Sequence, residues 1–78
     1  MRSLVRLPKL GETAADVVIQ EWLVGVGDSV EAGQPLVSVE TDKVTTEVPA
    51  PVSGVIAEIL VQPDDEVATG DHICVITD

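Results

Sequence analysis

One amine stands where the sequence changes character. Lys43 lies within Glu40-Thr41-Asp42-Lys43-Val44-Thr45-Thr46-Glu47-Val48, a polar break between two runs rich in β-branched residues. Apolar or β-branched residues on both sides of Asp42-Lys43 read as two strands joined by a tight hairpin. Strand alternation turns Val37, Val39, Val44, Thr46 and Val48 inward, and Glu40, Thr45 and Glu47 outward. The Lys43 ammonium is then expected at the tip, on fixed backbone but with a free side chain. Taken alone, such a lysine is an ordinary solvated charge.

Other chemistry is poorly served. One His (His72) and one Cys (Cys74) make no metal-ligand set, and a single Cys excludes an internal disulfide. There is no convergent acid–base pair, no phosphate-cradling glycine cluster and no convincing nucleophile, so an autonomous enzyme is the poorest fit. The 14 acidic against 4 basic residues would repel nucleic acid and an anionic membrane surface alike. No apolar run is long enough to span a bilayer, and the opening residues do not read as a signal peptide. Cys74, in an apolar stretch, reads as a small buried core residue. A reducing compartment follows as the expectation: cytoplasm, or an organelle matrix such as the mitochondrial one after loss of a transit peptide.

The elements that must position Lys43 are strands. Short Val/Ile/Leu runs alternate with Gly, Pro and Asp, which predicts strands over Leu4–Leu7, Val17–Val24, Leu36–Thr41, Val44–Val48, Gly54–Val61 and His72–Thr77, with brief extended pieces at Val30 and Val67. Sliding the chain by 37 positions lays residues 18–41 on 55–78 with 8 identities in 24 positions. The identities include the turn residues Asp28/Asp65 and Gly33/Gly70, which coincidence between two Val-rich strands would not supply. Glycine suits turns that need positive φ. Leu7-Pro8 and Val48-Pro49 form a shorter echo. Neither half could bury its apolar face alone, so two antiparallel sheets packed face to face with pseudo-twofold symmetry are expected: an all-β flattened barrel or sandwich. Lys43 falls at the junction of the halves. Pro49-Ala50-Pro51 reads as the linker into the second half, Asp64-Asp65-Glu66 as a solvated turn, and Trp22 as a residue packed on the core.

Glu40-Thr41-Asp42-Lys43 resembles the modification motif of lipoyl domains in the acyltransferase components of 2-oxo acid dehydrogenase complexes. Pro8-Lys9-Leu10-Gly11-Glu12, Glu21-Trp22, Gly27-Asp28-Ser29-Val30, Val48-Pro49-Ala50-Pro51 and Ser53-Gly54 are similar to that family as well. The resemblance covers nearly the whole chain, and the spacing from Lys43 to Gly54 makes it specific. It implies a barrel-sandwich hybrid in which lipoic acid is joined by an amide to Lys43, flanked by Asp42 and Val44, by a lipoate ligase or an octanoyl/lipoyl transferase. It implies a swinging arm serving a thiamine diphosphate-dependent 2-oxo acid decarboxylase, the acyltransferase core and dihydrolipoamide dehydrogenase, the domain itself catalysing no step. Residues 1–78 would then be one lipoyl domain at the N-terminal part of a longer dihydrolipoamide acyltransferase. In similar domains the loop holding Glu12 and Thr13 helps partner recognition; Glu40 and Glu47 are candidates for the same face. A biotin carrier domain is the alternative, although that family typically sets Met on both sides of its lysine. Glycine-cleavage carrier proteins are considerably longer, and an unmodified interaction barrel is the remaining reading.

Overall fold

The computed structural model describes residues 2–9, 17–42 and 44–78, and all of its regular elements are strands. These are β1 (Arg2–Arg6), β2 (Val17–Trp22), β3 (Ser29–Val30), β4 (Pro35–Glu40), β5 (Thr45–Pro49), β6 (Gly54–Ile59), β7 (Glu66–Val67) and β8 (His72–Thr77). They pair into two four-stranded antiparallel sheets, ordered β1-β8-β6-β3 and β5-β4-β2-β7. Replacing each strand of one sheet by its repeat partner yields the order of the other, which is the expected pseudo-twofold architecture.

The symmetry reaches individual hydrogen bonds. Ile19 N–H donates to Asp65 O at 2.9 Å and Ile56 N–H to Asp28 O at 2.9 Å; Leu23 and Leu60 donate to Leu36 O and Ile73 O, both at 2.9 Å. Irregularities in pairing recur at Ile19/Glu21 in β2 and Ile56/Glu58 in β6. The Asp28 and Asp65 carboxylates each accept from the backbone N–H three residues earlier, Gly25 and Gln62, at 2.8 Å. This explains why an aspartate recurs in both turns: its oxygen satisfies a donor the strand has released. Gly33 (φ 91°) and Gly70 (φ 93°) both hold the left-handed backbone expected of them, and the Asp64 turn is exposed with φ 76°.

The core follows the repeat. Leu36/Ile73, Val39/Ile76, Val30/Val67 and Ile19/Ile56 are buried as pairs, and so are Cys74 and its repeat counterpart Val37. Removing each Val, Leu or Ile from water contributes about 1.5–3 kcal/mol, the main stabilisation open to a chain with one aromatic residue. Trp22 packs against this core from the edge, its indole N–H donating to Val61 O at 3.0 Å. Burial pushes the Cys74 thiol up from 9.0 to about 11, so it stays neutral at physiological pH.

Four expectations need correction. Val44 does not point inward: it is 56% exposed, because strand pairing begins at Glu40–Thr45 and leaves Val44 in the turn. The echo of Leu7-Pro8 is Ala50-Pro51 rather than Val48-Pro49. Leu7 and Ala50 are both buried, and they accept from Gly70 N–H at 2.9 Å and Gly33 N–H at 2.8 Å. Pro49-Ala50-Pro51 is accordingly less a linker than a seam, since Pro49 ends β5 and Ala50 N–H donates to Gln34 O at 2.8 Å. β2 and β6 stop at Trp22 and Ile59, two residues earlier than predicted, where each chain leaves its sheet to cross to the other.

Gly54 breaks the symmetry for a steric reason. Its repeat partner, Val17, is fully buried, but a Cβ at position 54 would collide with the Thr77 carbonyl oxygen and come within 2.7 Å of Ile76 Cγ2. Gly54→Ala is expected to cost about 2 kcal/mol or more and to lower the melting midpoint by roughly 10 °C in calorimetry. Gly25→Ala meets only a carboxylate oxygen at 3.9 Å and should stay within about 0.5 kcal/mol of wild type. Cys74 should resist iodoacetamide in the native domain at pH 8 and label once urea unfolds it; equal labelling in both states would contradict its burial.

Candidate functional site

The β4–β5 hairpin is held by three bonds between Thr41 and Val44. Thr41 N–H donates to Val44 O at 2.8 Å, the Thr41 hydroxyl donates to the same carbonyl at 3.0 Å, and Val44 N–H donates to Thr41 Oγ1 at 3.1 Å. Thr41 is only 9% exposed, so these bonds lie largely out of water's reach. A β-branched hydroxyl residue suits this position twice over. Its branching favours the extended backbone entering the turn, and its oxygen satisfies a turn amide. Lys43 follows Asp42 and precedes Val44 in the sequence and lies outside the described residues, as do Glu12 and Thr13.

The carboxylates sort by strand geometry. Glu40 and Glu47 are exposed, with Ser38 opposite Glu47 and Thr45 opposite Glu40 across the β4–β5 pairing. Glu40 accepts from Gln20 Nε2 on β2 at 2.8 Å, and the Ser38 hydroxyl donates to Gln20 Oε1 at 3.4 Å. Asp42 is exposed within the turn and Val44 sets an exposed apolar group beside it. Among the sequence candidates, Glu40, Asp42, Val44 and Glu47 are thus gathered on one hairpin. Its described part is a clamped turn with an exposed acidic rim; the four described candidates share no hydrogen bond with one another.

Two contributors escaped the sequence reading. Thr41 was legible only as the last residue of a strand, whereas its hydroxyl closes the turn. Gln20 is 20 positions from Glu40, and only the β2–β4 register, with Val18 opposite Glu40, brings them together. A Thr just before a two-residue polar turn was the one available signal for the former.

Comparison with known proteins agrees with this geometry. The family model described as biotin-requiring enzyme matches residues 3–76. The chain is 50% identical over 74 residues to the dihydrolipoyllysine-residue acetyltransferase component of the pyruvate dehydrogenase complex of Corynebacterium glutamicum, covering 95% of this chain and 11% of that protein. It is 42% identical over 67 residues to the succinyltransferase component of the 2-oxoglutarate dehydrogenase complex of Bartonella vinsonii, covering 86% and 16%. The chain therefore spans only a small part of these relatives. Among solved structures, the lipoyl domain of the 2-oxoglutarate dehydrogenase complex of Azotobacter vinelandii superposes with a TM-score of 0.75 at 34% identity, covering 97% of this chain and 98% of that one. Urea carboxylase of Kluyveromyces lactis superposes with a TM-score of 0.82 at 28% identity, covering 99% of this chain and 6% of that enzyme. A match along nearly all of the sequence and a superposition end to end on a lipoyl domain leave one conclusion: the chain belongs to the biotin/lipoyl attachment-domain family, among its lipoyl domains.

Proposed function

We propose that this domain carries lipoate as an amide on Lys43 and passes acyl groups between the active sites of a 2-oxo acid dehydrogenase complex. Family membership implies a covalently attached lipoyl or biotin group. The choice of lipoate is carried by one observation: the relatives that match at 42–50% identity are acyltransferase components of such complexes, while the carboxylase matches at 28%. The flanks agree, Asp42 and Val44 standing where biotin carriers typically have Met.

The residues fit an attachment site in chemical terms. Attachment needs a lysine in a segment that a modifying enzyme meets in a constant geometry, and the Thr41–Val44 bonds fix the residues on either side of the turn. Bound lipoate supplies a dithiolane that can be reduced and acylated. The domain's own contribution is presentation. Tethering raises the effective concentration of the group at each site it visits, and partner choice requires protein surface, because a cofactor common to all carriers cannot distinguish them. Glu40, Asp42 and Glu47, together with Glu12 and Thr13 in the preceding loop, are the residues to which we assign that recognition. The partners would be a lipoate ligase or octanoyl/lipoyl transferase, a thiamine diphosphate-dependent decarboxylase, the acyltransferase core and dihydrolipoamide dehydrogenase.

Incubation with lipoate ligase, ATP and lipoate is expected to add one lipoyl group, mapped to Lys43 by peptide mass spectrometry and absent in Lys43→Arg. An adduct on Lys9, or biotin accepted in preference to lipoate, would refute the assignment. Thr41→Val removes the two hydroxyl bonds to Val44 while keeping the branched shape. It should cost about 1–2 kcal/mol and slow lipoylation, with Thr41→Ser restoring most of both. Unchanged lipoylation of Thr41→Val would show that the turn's geometry is not what the ligase reads.

A further inference from the structure

The repeat brings together a second surface, distinct in its chemistry from the hairpin. An open groove of about 620 Å³ lies between the two segments that cross from sheet to sheet, where β2 and β6 end. Its lining comes in pairs related by the 37-residue repeat: Trp22 with Ile59, Glu21 with Glu58, and Val26 with Pro63. The groove thus straddles the pseudo-twofold axis. Its floor is apolar, Val26 is 64% exposed, and its charged lining residues are both acidic. Arg2 touches Glu58 at 3.6 Å, but both side chains are more than half exposed, so that pair is readily exchanged for another cation. Gln20 lines the groove's edge and reaches Glu40, which places an occupant beside the hairpin.

Three occupants compete, and charge separates them. A second copy would bring another net charge of −10 against an acidic rim. The domain's own arm ends in an uncharged dithiolane, for which Glu21 and Glu58 have no use. A partner segment with an apolar side chain between lysines or arginines satisfies floor and rim together. We infer that this groove is a docking site for such a basic-flanked apolar segment of a partner protein, whichever group Lys43 carries. Docking here would hold Glu40 and the β4–β5 hairpin close to the partner.

Trp22 is the only Trp in a chain without Tyr or Phe, and it lines this groove, so its fluorescence is a direct probe of occupancy there. The unmodified domain is titrated at low salt with a blocked hexapeptide of Leu-Ile flanked on each side by two lysines, and with its glutamate counterpart. The lysine peptide should give a saturable blue shift and the glutamate peptide none. Glu21→Lys should weaken binding about fivefold, and Val26→Lys, at a position 64% exposed, should abolish it by removing apolar floor and adding a repelling charge. No saturable shift, an equal shift with the glutamate peptide, or wild-type binding by Val26→Lys would overturn the inference. A shift with protein concentration alone would assign the groove to a second copy. A shift on lipoylation alone would assign it to the arm.

Discussion

Each half of this chain lends its shortest strand to the other, and that exchange is the constraint on which the remainder depends. β3, from the first half, pairs with β6 of the second; β7, from the second, pairs with β2 of the first. A two-residue strand cannot stand alone, and neither half can cover its own apolar face. The exchange solves both problems, since the segments that carry β3 and β7 across also close one side of the space between the sheets. Ile19–Asp65 and Ile56–Asp28 are the backbone bonds that lock it. The apolar residues of both halves then share one buried cluster.

The hairpin inherits its rigidity from that arrangement. β4 is an interior strand, bonded to β5 on one side and β2 on the other, so its exit toward Thr41 is fixed over its whole length. A carrier needs this division of labour. The peptide that bears the group must not move relative to the domain, while the group itself must move freely. The Thr41 hydroxyl confines the closing bonds of the turn to backbone and one buried side chain, which leaves Glu40, Asp42 and Glu47 exposed on the hairpin surface.

The same symmetry explains where asymmetry was needed. The junction that joins β4 to β5 corresponds, under the repeat, to the place where β8 ends beside the start of β1. One copy became a closed turn and the other the two ends of the described strands. Gly54 against Val17 shows a similar divergence at the level of one atom, because only at Gly54 does a carbonyl occupy the space of the missing side chain.

The sequence by itself determined the strands, the pairing of apolar positions and the repeat, because two-residue alternation and turn chemistry are local and leave their mark in order along the chain. It pointed to Lys43 through the surrounding motif, and it assigned Trp22 and Cys74 to the core. Tertiary structure decided what depends on register between distant strands. Val44 turned outward because pairing stops one residue earlier than alternation implied. Leu7 answered Ala50 instead of Val48, because the matching bonds run through Gly33 and Gly70 rather than along the sequence echo. Gln20 met Glu40, and Trp22 met Ile59 at one groove, by the packing of strands that the sequence places 20 and 37 positions apart. Alternation states which face a residue takes; which residue shares that face is settled only when the strands are laid side by side.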